Sequence, residues 1–183
     1  RKAAIESYLL SVSETQDFPA TILHPGHIVG PGWVPVNPAG NLNPEVFHKL
    51  ARGEEIFLPN YGMETLHHVH ADDVAQSFVK AMEYGENAKG QSFHIVSEQA
   101  LTLRGYASAI ALGFGKEARL SFLPWEEWKK TASEYEAQLT WDHIAHSPNF
   151  SIRKAQTLLN YQPRYSSLKA IQESLKILMS LNG

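Results

Sequence analysis

Residues 21–32, TILHPGHIVGPG, decide how this chain reads. The stretch from Ala20 to His24 has few polar groups, the pattern of a strand covered on both faces in a parallel sheet. Pro25-Gly26 ends that run, and Gly30-Pro31-Gly32 follows as a second tight punctuation. Glycine allows a backbone to approach a ligand closely, and open α/β sheets bind ligands beyond the carboxyl ends of their strands. The segment after His24 is therefore expected to border a binding crevice.

Upstream, residues 2–13 carry Ile5, Leu9 and Val12 at helical spacing, with Tyr8 beside them. No N-cap residue precedes this helix and the first residue is not methionine, so the opening reads as the middle of a domain. Downstream, residues 26–60 are rich in proline and read as loop, with one short helix over 44–51 capped by Asn43. A strand is expected at 65–70. A helix should follow, capped by Asp72 or Asp73, with Val74, Ala75, Phe78, Val79 and Met82 as its buried stripe. Another strand spans 92–96. Strand, excursion, strand, helix, strand is α/β organisation.

From Leu101 the pattern is mostly helical. Thr102 should cap a helix with Leu103, Tyr106, Ala107 and Ile110 inward, ended by Gly113 and Gly115. Residues 119–123 read as a short strand, and Pro124 opens a helical piece with Trp125 and Trp128. Ser151 should cap a helix over 152–159. Ser166 or Ser167 should cap the last helix, whose stripe is Leu168, Ile171, Leu175 and Leu178. Three or four strands are few for two layers of helix, which implies further strands upstream.

Composition excludes several classes. The chain has no cysteine, so disulfides, thiolate chemistry and sulfur-ligated metals are out, as suits a cytoplasmic protein. Net charge is -3 and neither half carries a basic stripe, which argues against a nucleic-acid partner. No apolar run approaches the ~18–20 residues of a membrane span, and no signal pattern opens these residues. His67, His68 and His70 raise the question of zinc, but no well-spaced acid joins them, and His143 and His146 stand in an acid-poor segment. No metal is expected.

Five segments, in order, carry a resemblance: Lys2 followed by Glu6, then ATILHPGHIVGPG, HHVHADDVAQSFVKA, GQSFHIV, and the tail SIRKAQTLLNYQPRYSSLKAIQESLKIL. Together they resemble the C-terminal half of an extended short-chain dehydrogenase/reductase of the NAD-dependent epimerase/dehydratase group. The family's leucine-glycine-tryptophan-x-proline turn is here Leu159-Asn160-Tyr161-Gln162-Pro163. The resemblance implies an incomplete Rossmann-like, doubly wound parallel sheet, of which this chain holds the last strands, with a smaller, mostly helical substrate domain. Residues 1–28 and 65–96 would belong to the dinucleotide-binding domain, and residues 29–64 and 97–183 to the substrate domain.

The family's catalytic pair is a tyrosine and a lysine at i and i+4 on one helix. That spacing stacks both side chains, and the ammonium lowers the phenol's pKa so that it can exchange a proton while hydride moves. Lys2 falls on the family's lysine, which implies a catalytic and cofactor-binding role; the tyrosine would stand four residues earlier, upstream of Arg1. Tyr8 lies on a different helix face and cannot replace it. Pro25, Gly26, His27 and Ile28 fall where the family's strand passes the nicotinamide, so they are expected to touch NAD or NADP. His70 matches the family's strand-end histidine and Asp73 the acid opening the next helix, and both are expected to hold that loop.

One departure bears on substrate. Many nucleotide-sugar epimerases carry an Arg-Asp pair in this strand, and the arginine grips the diphosphate; here those positions are Leu66 and His67. This favours a smaller or less charged hydroxyl- or carbonyl-bearing small molecule. Trp33, Asn41 and Asn43 then become candidates for the substrate pocket, and Arg52 or Arg104 is the cation that would overturn the argument. The resemblance implies an NAD(P)-dependent oxidoreductase, epimerase or dehydratase, a homodimer when intact, with this stretch inactive alone. The alternative is a non-catalytic NAD(P)-binding regulatory or interaction protein of the same fold.

Overall fold

The computed structural model describes residues 2–180. Helix α1 (Lys2–Thr15) is followed by strand β1 (Thr21–Pro25) and, one residue later, β2 (His27–Val29). After a long loop come α2 (Glu45–Arg52), β3 (Glu55–Pro59), β4 (Thr65–Leu66) and β5 (His68–His70). Next are α3 (Ala71–Glu83), the short α4 (Gly85–Ala88), β6 (Gln91–Ile95) and β7 (Leu101–Thr102). The remainder is α5 (Leu103–Gly113), β8 (Arg119–Leu123), α6 (Trp125–Trp128) running into a 3-10 turn at Lys129–Thr131, α7 (Glu134–Ile144), α8 (Arg153–Leu159) and α9 (Ser167–Ser180).

β1 pairs in parallel with β6, β2 with β5, and β3 with β8, while β4 and β7 pair antiparallel. The fold is α/β, with the parallel pairings of a Rossmann-like sheet. Two buried clusters build it. One joins Val69, Phe93 and Ile95 to Ile152, Ala155, Leu159 and Tyr161, so that α8 seals β6. The other gathers Phe47, Leu58, Leu66, Tyr106, Ile110 and Ile171 around α5 and α9. Both buried tyrosines find an acceptor: Tyr106 donates to the Val36 carbonyl (3.1 Å) and Tyr161 to that of Val96 (3.2 Å).

Gly26 is the joint between β1 and β2. Its N–H goes to Ile95 O (3.0 Å), whereas the next N–H, of His27, goes to His67 O (2.9 Å). One strand thus changes partner from β6 to β5 within two residues. A Cβ on Gly26 would overlap the His67 carbonyl and approach Val96 Cγ1 at 2.8 Å, so only glycine fits.

Several expectations hold residue for residue. Thr102 caps α5 by accepting from Gly105 N, and Leu103, Tyr106, Ala107 and Ile110 face inward. β8 spans the predicted residues. Asn160 takes the left-handed position at the end of α8 (φ 51°) where the family has glycine; asparagine is the next residue to tolerate it.

Other expectations are corrected. The segment read as loop after Pro25 contains β2 and β3, hidden by its prolines and glycines. The strand expected at 65–70 divides at His67 into β4, which pairs antiparallel with β7, and β5, which pairs in parallel with β2; the His67 ring bonds the Ser97 carbonyl (2.9 Å). Helix α7 was absent from the sequence reading, although Ser133 and Glu136 form a reciprocal capping box there. The cap of α3 is His70, whose Nδ1 accepts from Asp72 N, rather than an aspartate. Its buried residues are Asp73 and Ser77; Phe78, Val79 and Met82 are exposed, Met82 by 75%. Similarly, Ile5 and Tyr8 of α1 are exposed and only Ser13 is buried. The reason is shared. Phe78 and Met82 flank the edge of β1 with Pro19 and Leu23, and among the described residues β1 has a strand partner on its β6 side alone.

Candidate active site

The direction of α1 locates the crevice. Ser13, near the end of α1, lies beside Gly90 at the start of β6. Glu6, two turns earlier, bonds His24 Nε2 (3.0 Å) near the end of β1. The helix therefore runs antiparallel to the strands, with its N-terminus at their carboxyl ends. Lys2 is one turn beyond Glu6 on the same face, a Cβ separation of about 5–6 Å. It is exposed and, among the described residues, makes no hydrogen bond or ion pair. The His24 bond lowers the Glu6 pKa, so this carboxylate stays ionised beside the crevice.

Next to the Gly26 joint, three imidazoles from three elements meet. His27 of β2 faces His68 of β5 with ring centroids 5.5 Å apart, and His143 of α7 stands edge-on to His27 at 4.9 Å. His68 is fully buried; its Nε2 lies 3.3 Å from the Val36 carbonyl, so Nε2 carries the proton and Nδ1 is a bare acceptor. That Nδ1 has no partner. The His27 ring, half-buried, makes no hydrogen bond among the described residues. His143 Nδ1 bonds the Gly40 carbonyl (2.7 Å). Burial, then the neighbouring His143, pushes the His27 pKa down to about 4. Burial, then His27, pushes His68 down to about 3. Both rings are neutral at pH 7 and can hydrogen-bond without bringing charge.

The rest of the loop is closed. Asn37 Nδ2 donates to Asn41 Oδ1 (2.6 Å) and Asn43 O (2.9 Å), while its Oδ1 accepts from Ala39 N (2.8 Å). Asn41 donates to Thr140 Oγ1 (3.2 Å), and Asn43 to Glu136 Oε1 (2.7 Å). Asn43 Oδ1 also accepts from Glu45 N (2.9 Å), but the N-cap of α2 is Pro44, with no side-chain cap bond, and not Asn43 as expected. The amides of Asn41 and Asn43 are thus committed within the protein. Trp33 is about half exposed at 53%, its N–H turned to Gly30 O. Pro25 and Ile28 flank the joint on either strand.

His70 and Asp73 tie this loop region to the C-terminal helix. Because His70 Nδ1 accepts from Asp72 N, its Nε2 carries the proton and donates to Glu173 (2.6 Å); its ring stacks on Tyr165 at 3.8 Å. Buried Asp73 accepts from Arg164 N (2.9 Å) and Tyr165 N (3.1 Å). Ser174 Oγ brackets Gly30, accepting from its N–H at 2.7 Å and donating to its carbonyl at 2.9 Å.

Leu66 is fully buried in the core, and the guanidinium of Arg52 is held by Glu45 and Glu54 at 2.6 Å each. Arg104 lies over the Phe122 ring. No group of histidines and acids able to hold a metal occurs among the described residues. Of the site residues expected from sequence, Pro25, Gly26, His27 and Ile28 come together at the joint. The reading missed His68 and His143 as neighbours of His27, since they arrive from β5 and α7; the periodicity of the chain carries no signal for that meeting.

These features belong to a Rossmann-like α/β protein. The sequence model of the NAD dependent epimerase/dehydratase family matches residues 1–95, and the chain belongs to that family. The chain is similar to the UDP-glucose 4-epimerase of Thermotoga maritima, solved with UDP-glucose, at 17% identity and TM-score 0.68, covering 100% of this chain and 53% of that one. It is likewise similar to RMD of Pseudomonas aeruginosa, solved with NADPH, at 14% identity and TM-score 0.67, covering 98% and 55%. Among curated proteins it is 27% identical over 161 residues to the chloroplast stem-loop binding protein of 41 kDa b of Arabidopsis thaliana, covering 86% of this chain and 39% of that protein. The chain therefore spans about half the length of the solved structures and less of the chloroplast protein.

Proposed function

We propose that the protein carrying this chain is an NAD(P)-dependent enzyme acting on a hydroxyl- or carbonyl-bearing small molecule. One observation carries the reading: α1 runs antiparallel to β1, so Lys2 stands beyond the carboxyl end of a parallel strand pair, where its exposed ammonium meets no other partner. The donors and acceptors present fit a nicotinamide nucleotide. Among the described residues Lys2 is a free cation suited to ribose hydroxyls, and the half-buried His27 ring has no bond of its own. When bound, the nucleotide supplies or accepts the hydride. Lys2 would hold the ribose and lower the pKa of a phenol four residues ahead of it on the helix. The backbone at 25–28 would border the ring, and neutral His27 would hydrogen-bond a substrate oxygen.

The buried Leu66, with Arg52 already paired, supports discrimination against nucleotide sugars. A diphosphate without a matching donor in a closed site costs several kcal/mol, at about 2 or more per missing charged bond. A compound with one charge or none, packed on Trp33, avoids that cost. The chloroplast relative's name points to stem-loop binding. A net charge of -3 without a basic stripe favours a small molecule for this chain instead.

Lys2→Met in the full-length protein tests the reading. Turnover should fall on the order of 100-fold in kcat/KM with Tm unchanged. Near-normal kcat/KM would refute it. A screen of nucleotide sugars against small hydroxy and keto compounds, read by cofactor fluorescence, tests the substrate class, and efficient use of a nucleotide sugar would overturn the argument from Leu66.

A further inference from the structure

A cavity of about 600 Å³ opens between the end of α5 and one side of α9. Its floor is apolar and closed, since Ile110 and Leu175 are both buried. Phe114 and Met179 form half-buried walls. Lys169 and Lys176, seven residues apart and so on one helix face, stand exposed at the rim. Neither side chain has a hydrogen bond or ion pair among the described residues, although exposed lysines elsewhere in the molecule, such as Lys129 and Lys130, pair with glutamates. Among the described residues the only acid lining the cavity is Glu173, which His70 Nε2 already engages at 2.6 Å.

The wall is rigid as well as charged. α9 is fixed to the rest of the molecule at consecutive residues, Glu173 to His70 and Ser174 to Gly30. Tyr165, at the mouth, is locked face to face with His70. A preformed apolar hollow of this size is within the range of small-molecule sites, and preorganisation lowers the entropic cost of filling it.

We infer that this groove binds an amphiphilic anion, a single carboxylate-type head group on an apolar body. The body would fill the space over Ile110, Phe114 and Leu175, and the head group would pair with Lys169 and Lys176. The site is independent of the Lys2–His27 crevice, and its failure or success leaves the proposed activity untouched.

The test uses the full-length protein with methionine methyl groups labelled for NMR. Met179 lines the groove, whereas Met82 lies on the exposed side of α3 and Met63 is exposed elsewhere; each signal is identified by its loss in a Met→Leu variant. Dodecanoate should shift the Met179 signal saturably below about 1 mM, leaving Met82 and Met63 in place. Dodecanol should bind at least about tenfold more weakly, and so should dodecanoate to the Lys169→Gln/Lys176→Gln double variant. Both lysines are exposed and unbonded, so that variant keeps its fold, and an unchanged Tm checks it. Three results would each overturn the inference: a shift at Met82 in place of Met179, equal affinity for dodecanol, or undiminished dodecanoate binding by the double variant.

Discussion

Two polar clusters leave the same strand joint and are built on opposite principles. In the asparagine cluster every amide is spent: Asn37 alone makes bonds to Asn41, Asn43 and Ala39, and Thr140 and Glu136 close the outer ends. In the histidine cluster His68 Nε2 and His143 Nδ1 bond the Val36 and Gly40 carbonyls, but among the described residues the His27 ring makes no hydrogen bond and His68 Nδ1 has no partner. A buried polar group left unpaired costs more than a bond returns, so a protein that closes one cluster fully and leaves its neighbour open has kept the second for something else. The asparagines hold the loop; the histidines are available to a ligand.

The strongest way to break this comparison is Asn37→Ala. It would strand the Ala39 N–H, the Asn41 N–H and the Asn43 carbonyl in the loop, at about 1–3 kcal/mol for each group left unsatisfied, while Asn41 Oδ1 keeps the Asn43 N–H. A total loss of about 4 kcal/mol is expected in urea unfolding. A loss below about 1 kcal/mol would mean the amide network is not what holds the loop.

Acid tests the other cluster. The unfolded chain takes up protons near the ordinary imidazole value of 6.5, while folded His27 stays neutral down to about 4. Between those values the unfolded state binds more protons, so stability falls as pH falls. His68, held lower still, acts in the same direction. His27 alone should cost roughly 2–3 kcal/mol between pH 6.5 and 4 and His68 about as much again, measured by urea unfolding across that window. A flat profile there would show that the imidazoles are not desolvated.

The two clusters also differ in how far sequence could reveal them. Local signals were legible where one residue type does one job at short range: Thr102 as cap, the alternation of β8, Gly26 as punctuation beside a crevice. Asparagines at 41 and 43 were visible, but as substrate handles, because periodicity does not reveal that their side chains are spent within the protein. The exposed row of α3 was read as buried for a related reason. Phe78 and Met82 are apolar, yet burial depends on what packs against β1, and spacing within the helix carries no information on that. His27, His68 and His143 are separated by more than a hundred residues of chain at the extremes, and only the parallel pairing of β2 with β5 and the seat of α7 bring them together.

The smallest effect sharpens the comparison most. His27→Ala removes a ring that makes no hydrogen bond, so nothing is left unsatisfied and only packing is lost. At pH 7 the variant should be less stable by about 1 kcal/mol, well short of the Asn37 effect. The gap should then close on acidification. The parent loses stability through His27 at up to about 1.4 kcal/mol per pH unit below the ordinary imidazole value, and the variant has no such group. Removing His27 also takes away the largest neighbouring-charge contribution holding His68 down, so the variant's remaining acid sensitivity shrinks as well. Near pH 5 the two stability curves should therefore meet or cross. Curves that stay parallel from pH 7 to pH 5 would place His27 in solvent rather than in the cluster, and the contrast between a closed and an open region would fall with it.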